Sequence, residues 1–220
     1  MNNDQPTHAS PCLRLNDKAP DFTARSTHGV INLSDYSGQW LLLFSHPADF
    51  TPVCTSEFIA FEKAADKFQA LNCSLLGLSA DSIYSHLAWI MNIKERFDVD
   101  ISFPVIEDLS LVIAEQYGMI DETSVSTATV RSIFFINPEA IIKTIIHYPM
   151  TVGRSVDEIL RVLNALVATE KGEVAAPEGW QAGDPMLLSP PTTIEDIKDR
   201  MTNAQNPVDW YYNKTSGTGD

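Results

Sequence analysis

From Ile31 onward, apolar clusters alternate with polar punctuation in a βα rhythm. Trp40 to His46 reads as a short, almost continuous apolar run, the pattern of a strand covered on both faces. Pro47 to Cys54 follows, and its two prolines exclude a helix interior there. Thr55 to Leu71 then carries Phe58, Phe61, Ala65 and Phe68 at steps of three and four, predicting an amphipathic helix. Cys73 to Ala80 reads as a second buried strand. Asp81 or Ser82 caps a helix through about Arg96, with Leu87, Ile90 and Ile93 on its inner face. Phe103 to Ile106 predicts a short strand, and Leu109 to Tyr117 a short helix closed by Gly118. Arg131–Ile136 and Ile141–Tyr148 flank Asn137-Pro-Glu-Ala as a β-hairpin. Ser155 caps a further helix with Ile159, Val162, Leu163 and Leu166 inward.

Past Lys171 the pattern changes. Pro177, Pro185, Pro190, Pro191 and Pro207 interrupt the chain, and only Thr193 to Thr202 reads as helical. Trp180, Met186 to Leu188 and Trp210 to Tyr212 are too apolar for a free linker, so this stretch is expected to pack on its own body or on a partner subunit. The expected organisation is a flexible segment 1–13, a body 14–170 and a C-terminal arm 171–220.

Charge narrows the function more than composition does. The chain has 220 residues, and Lys plus Arg total 15 against 29 Asp plus Glu, a net charge of -14. Such a surface repels phosphate backbones and anionic headgroups, so neither nucleic acid nor membrane is an expected partner. The longest apolar run, Trp40 to Phe44, falls far short of the roughly 20 residues of a membrane helix. MNNDQPTHASPC lacks the basic and apolar regions of a signal peptide. Three scattered cysteines, Cys12, Cys54 and Cys73, form no CxxC pair and suit a reducing, cytoplasmic setting. No cofactor and no metal ion is expected.

The chemistry concentrates between the first buried strand and the following helix. Cys54 falls at or near the first turn of that helix, where unpaired N–H groups and the macrodipole favour an anion. Two prolines fix the preceding loop. Thr51, three residues earlier, can turn its hydroxyl toward the sulfur or toward a bound oxygen. A buried, inert residue is the commoner fate of a cysteine, and location alone does not decide between the two.

The wider segment Phe44-Ser-His-Pro-Ala-Asp-Phe-Thr-Pro-Val-Cys-Thr-Ser-Glu57 resembles the active-site loop of the peroxiredoxins, with His46-Pro47 and Pro52-Val53 closest to the 1-Cys subgroup and its archaeal relatives. Ala19-Pro-Asp-Phe22, the Arg131 strand, Thr151-Val-Gly-Arg-Ser-Val-Asp-Glu-Ile159 and Pro190-Pro191 occur in the family's order. The resemblance spans roughly residues 14 to 212. It implies an α/β, thioredoxin-like fold, a central mixed sheet flanked by helices, with a C-terminal extension arm. It further implies that Cys54 attacks a hydroperoxide and becomes a sulfenic acid, that Thr51 and Arg131 bind the peroxide oxygens, and that Pro47 shields the site. Glu57 and Arg154 match positions that orient the arginine, and His46 matches a residue beside the pocket. Dimers, in some members joined into rings, are the family's assemblies.

Thiol activation alone cannot supply a fast peroxidase. Lowering a thiol pKa from about 8.5 to about 6 raises the thiolate fraction at neutral pH roughly thirty-fold. The accompanying loss of nucleophilicity is roughly thirteen-fold, leaving about two-fold. Donors aimed at the breaking O–O bond must provide the rest, which ranks Arg131 and Thr51 above the pKa.

The arm from Lys171 to Asp220 contains no cysteine, although archaeal-type members carry a resolving thiol near Trp210-Tyr-Tyr-Asn-Lys214. Cys73 is expected a helix length from Cys54, and Cys12 lies in the N-terminal segment. The expected cycle is therefore 1-Cys, with reduction by an external thiol (thioredoxin-like, glutathione-like or other). Ser37-Gly-Gln-Trp-Leu41 places Gln39 where phospholipase-active members have serine, so that activity is not expected. A thioredoxin-fold holdase without turnover is the alternative function. A cysteine hydrolase would need His46, His86 or His147 as its base.

Overall fold

The computed structural model describes residues 13–120, 126–172, 174–203 and 208–215. Cys12, Pro207 and the rest of the segment before Leu13 lie outside the described residues. The elements run β1 (Thr23–Ser26), β2 (Gly29–Asn32), a 3-10 turn (Leu33–Tyr36), β3 (Trp40–Ser45), α1 (Pro52–Lys63), α2 (Ala65–Ala70), β4 (Cys73–Ser79), α3 (Ile83–Phe97), β5 (Val105–Glu107), α4 (Val112–Gln116), β6 (Arg131–Ile136), β7 (Ile142–Tyr148), α5 (Val156–Thr169), β8 (Val174–Ala175), β9 (Leu187–Leu188) and α6 (Ile194–Asn203). The chain divides after Val156 into two compact units.

The first unit is built on a seven-stranded sheet in the order β2-β1-β5-β4-β3-β6-β7. β3 runs parallel to β4 and antiparallel to β6, so the sheet is mixed as expected. All six residues of β3 are buried, which its unbroken apolar run demands of a central strand. Side chains alternate between the two faces. Leu41 and Leu43 join Leu76, Leu78, Phe134 and Ile136 in one core layer. Phe44 points the other way, stacked on Phe61 at 4.5 Å between ring centroids and meeting Phe58 and Phe103 edge-on. Gly77 of β4 makes room for that aromatic layer: a Cβ there would lie 3.3 Å from the Phe58 ring tip.

Four readings of the elements change. The helix after the proline loop begins at Pro52 rather than Thr55, because a proline in the first turn loses no helical hydrogen bond and already has helical φ. It also breaks at Ala64, where the sequence has neither proline nor glycine. In α3 the buried residues are Ile83, His86, Trp89 and Ile93, whereas Leu87 is exposed and Ile90 half-buried. This helix carries a second apolar stripe, Tyr84, Leu87 and Met91, which faces solvent. Finally, the β1–β2 hairpin had no expected counterpart, since TARS and GVIN are too polar and short to stand out.

In the second unit, Ile159, Leu160 and Leu163 of α5 are buried, while Val162 and Leu166 are half-buried. β8 and β9 pair antiparallel. Trp180 is buried and its indole N–H donates to the Asp184 carbonyl at 2.9 Å. Helix α6 lies within a residue of its expected bounds. Among the described residues no helix is long and apolar enough to cross a membrane.

Candidate active site

β3 delivers the chain at its carboxyl end to a loop, His46 to Thr51, and the loop delivers it to α1. Thr51 is the N-cap in extended backbone, yet its hydroxyl donates to the Ala48 carbonyl at 2.8 Å instead of capping the helix. The hydroxyl proton is thereby committed within the loop, so Thr51 is not the donor its spacing suggested, and its oxygen is left to accept. Phe50, just before it, adopts φ 55°, the left-handed region that costs a non-glycine residue about 1 kcal/mol or more. Pro47 is buried and Phe50 exposed.

Cys54, the third residue of α1, is fully buried. Arg131, the first residue of β6, reaches it: Nη1 lies 3.3 Å from Sγ and also donates to Glu57 Oε2 at 2.8 Å. Its Nε donates to the Met150 carbonyl at 3.0 Å, so the guanidinium is held from two sides. Glu57 stands one helical turn after Cys54, which places both side chains on the same face of α1.

Glu57 is the hub of the site. Besides Arg131 it accepts the backbone N–H of Arg154 at 2.8 Å, Arg154 Nε at 2.9 Å and Arg154 Nη2 at 2.8 Å. Arg154 Nη1 adds bonds to the Ser45 and Ser132 carbonyls, and its guanidinium carbon lies 5.2 Å from the Phe44 ring centroid. A carboxylate that holds both guanidiniums with every oxygen occupied can be buried as a charge. This answers why an arginine precedes a helix N-terminus, where the macrodipole disfavours it.

His46 is buried beside this group, its ring against Phe58 and Trp89. Its Nε2 pairs with Asp49 Oδ1 at 2.9 Å, and Asp49 Oδ2 pairs with His86 Nδ1 at 2.8 Å. Burial pushes the His46 imidazole below its ordinary pKa, partly offset by Asp49. For Asp49, burial alone would raise the carboxyl, but the hydrogen bonds from His46 and His86 bring it well below the usual carboxylate range. His147 Nδ1 meets the Ser132 hydroxyl at 2.7 Å. Among the described residues the hydrogen bond at the Cys54 sulfur comes from Arg131 and not from an imidazole.

Cys73 opens β4 in register with Trp40, at the opposite end of β3 from the loop. Six strand residues put roughly 20 Å between those ends. Both Cys54 and Cys73 are free thiols, and burial pushes the Cys73 thiol up to about 12. Gln39 Oε1 accepts the Ser74 hydroxyl at 2.9 Å.

Residues 15–145 match the AhpC/TSA family and residues 165–204 the C-terminal domain of 1-Cys peroxiredoxin. The chain belongs to the peroxiredoxin family. It is 47% identical over 203 residues to peroxiredoxin 2 of Caldanaerobacter subterraneus subsp. tengcongensis, covering 91% of this chain and 92% of that one. It is 47% identical over 197 residues to peroxiredoxin 2 of Picrophilus torridus, covering 90% and 96%. Among solved structures it resembles a yeast mitochondrial 1-Cys peroxiredoxin, with a TM-score of 0.82, 39% identity, and coverage of 92% and 100%. The C45S mutant of peroxiredoxin 6 of Arenicola marina gives a TM-score of 0.82 at 33% identity, covering 94% and 100%. As a peroxiredoxin the chain is a thiol peroxidase, of the 1-Cys type, on the expected thioredoxin-like fold.

The structure brings Cys54, Arg131, Glu57 and Arg154 into one hydrogen-bonded group and sets Pro47, Thr51 and His46 in the loop that leads to it. Asp49 and His86 were not singled out for this site. The sequence offers His86 only as a base for a hydrolase. The available signal was Asp49 three residues after His46; its second partner lies on a different element and leaves no local spacing to find.

Proposed function

We propose that Cys54 is the peroxidatic cysteine of this enzyme and that it reduces hydrogen peroxide and organic hydroperoxides. The observation that carries the reading is Arg131 Nη1 at 3.3 Å from the Cys54 sulfur, oriented by Glu57 and the Met150 carbonyl. The thiolate attacks the terminal peroxide oxygen, the O–O bond breaks, and the departing alkoxide takes a proton as the sulfur becomes a sulfenic acid. Arg131 stabilises the charge that grows on the leaving oxygen, in the manner of an oxyanion hole. Thr51, its proton held by Ala48, accepts from the peroxide hydroxyl. Pro47 keeps water away from the sulfur, while Glu57 and Arg154 hold Arg131, and His46 borders the pocket.

An external thiol then condenses with the sulfenic acid, releasing water, and a second thiol frees Cys54 as a mixed disulfide is exchanged. The reductant is a small or protein thiol, thioredoxin-like or glutathione-like. Free, buried cysteines support a reducing, cytoplasmic setting. Residues 171–220 form an arm that packs on a second copy of the chain, giving a homodimer with the capacity to join into rings. The solvent-facing stripe Tyr84, Leu87 and Met91, and the exposed Phe50, support self-association. Sedimentation of the reduced protein checks the assembly.

The deciding experiment mixes reduced protein with one equivalent of hydrogen peroxide and follows intact mass, for the native chain and for Cys54→Ser. A gain of one oxygen, trapped by a sulfenic-acid reagent and absent from Cys54→Ser, is expected. No change in the native chain would favour a holdase role instead.

A further inference from the structure

Asp49 is clamped between two imidazoles. His46 Nε2 lies 2.9 Å from Oδ1 and His86 Nδ1 lies 2.8 Å from Oδ2, with the three side chains no more than 1% exposed. The other ring nitrogen of His86, Nε2, meets the Ile106 carbonyl at 3.1 Å. A carbonyl oxygen only accepts, so Nε2 carries a hydrogen. A neutral His86 would then present a bare lone pair at Nδ1 to a carboxylate oxygen 2.8 Å away. Two acceptors do not sit at that distance without a hydrogen between them. Two ligand atoms on one tetrahedral metal ion would lie about 3.3 Å apart, wider than this contact.

Counting hydrogens makes the consequence plain. The three contacts require three hydrogens, whereas two neutral imidazoles and a carboxylate supply two. The cluster holds one proton more, which cancels the carboxylate charge and leaves the buried group neutral. A further hydrogen on His46 Nδ1 would restore a net buried charge, and among the described residues that nitrogen has no hydrogen-bond partner.

We propose that His86 is a positioning residue for peroxide reduction: through the proton it shares with Asp49, it holds His46 as the Nε2–H tautomer and pins the loop that carries Pro47 and Thr51 to Cys54. The proposal rests on Cys54 being the reacting thiol. Asp49 lies within that loop, and its backbone N–H is also tied, to Asp81 Oδ2 at 3.0 Å. The side chain and the backbone of one residue thus fasten the loop to the β4–α3 connection and to α3. Burial disfavours a second proton on His46, and the hydrogen bonds from both imidazoles favour an ionised Asp49. The other charged groups near the cluster are Asp81, whose Oδ2 also accepts from Ser79, and Glu107 of β5, which accepts from the Ile83 backbone and pairs with Arg25 of β1.

The pH dependence has a definite sign. Above neutral pH the unfolded chain has lost the histidine protons while the folded cluster keeps one, so the folded state binds more protons. The unfolding constant therefore rises about tenfold per pH unit until the cluster gives its proton up. Past that point two acceptors face each other and the loop loses its clamp.

The test uses the reduced full chain with ¹⁵N-labelled histidine, in the native form and in Asp49→Asn, His86→Phe and Cys54→Ser. Asparagine satisfies the cluster without the extra proton: Oδ1 accepts from His46 and Nδ2 donates to His86 Nδ1. At neutral pH the native His86 is expected to show two protonated ring nitrogens, and Asp49→Asn a single one, at Nε2. The native peroxide rate, corrected for thiolate ionisation, is expected to fall on the alkaline side and the Asp49→Asn rate to stay level. His86→Phe should lower the rate at least about tenfold, as displaced catalytic groups do. A singly protonated native His86, or a His86→Phe rate within about twofold of native, overturns the proposal. If His86→Phe does not fold, the nitrogen spectra of the native and Asp49→Asn proteins decide alone. Peroxide reduction persisting in Cys54→Ser would overturn the assignment of the reacting thiol, a failure the spectra keep separate from that of the cluster.

Discussion

Arg131 and Glu57 are expected to weigh oppositely in function and stability, and the difference follows from who else each one holds. Without Arg131, Glu57 keeps its forked contact with Arg154 and its charge stays paired. Arg131→Met is therefore expected to fold and to lose at least about 100-fold in peroxide reactivity, the size of effect seen when an oxyanion donor is removed. Stopped-flow peroxide reduction checks it, and a loss below about tenfold would sink the ranking of Arg131 above thiol activation. Glu57→Gln instead strips the carboxylate charge from two buried guanidiniums, which should cost about 3 kcal/mol or more in a denaturant titration. Part of this was legible residue by residue: Thr51 and Cys54 lie on one local segment, at a spacing a helix entrance interprets, whereas the role of Glu57 came only with the resemblance. Arg131 and Arg154 were assignable only by resemblance, because 77 and 97 residues separate them from their partners Cys54 and Glu57. The direction in which Thr51 spends its proton was beyond spacing altogether, since it depends on where the Ala48 carbonyl turns.

At the level of elements, the site depends on how closely α1 lies on the sheet, and Gly77 controls that distance. A methyl group there would meet the Phe58 ring at 3.3 Å and the Phe44 ring at 3.5 Å. Phe58 sits one helical turn beyond Cys54 and packs against His46 and Trp89, so displacing it moves the helix face that carries the thiol. Gly77→Ala is expected to lower stability by about 1–2 kcal/mol, as overpacked cores do, and to slow peroxide reduction with it. Thermal denaturation and stopped-flow on the same variant check both; a slower reaction without loss of stability would contradict the shared cause. Strands β3, β4 and β6 were readable because central strands need unbroken apolar runs, and the edge strand β7 because its paired isoleucines, Ile141-Ile142 and Ile145-Ile146, mark it. The face of α3 was not, because the helix carries two apolar stripes and the buried one contains a histidine. Burial of His86 is made tolerable by the partners waiting at both ring nitrogens, Asp49 and the Ile106 carbonyl. The β1–β2 hairpin at the opposite edge gave no signal because its four-residue segments, TARS and GVIN, are too short and polar to stand out.

Across the whole molecule, the placement of the thiols decides how oxidation proceeds. A disulfide needs Cα atoms within about 7 Å. Cys73 sits at the amino end of the β3–β4 pair, while Cys54 follows its carboxyl end, and residues 171–220 contain no cysteine. Cys73 is also a poor nucleophile, its thiol pushed up to about 12 by burial. Below that value it stays protonated, so at mildly alkaline pH alkylation should modify Cys73 only once the protein unfolds, which peptide mass mapping reads directly. A sulfenic acid on Cys54 thus has no described thiol in the same chain to condense with, and its fate is set by competition between an external thiol and more peroxide. With one equivalent of peroxide and no reductant, the expected product is the protein plus one oxygen; with excess peroxide it is the protein plus two, as the sulfinic acid. Adding a small thiol before the excess peroxide should divert the first product to a mixed disulfide and protect the enzyme from the second. Intact mass distinguishes all three species, and a loss of two hydrogens instead would mean that an internal disulfide forms and the 1-Cys cycle is wrong.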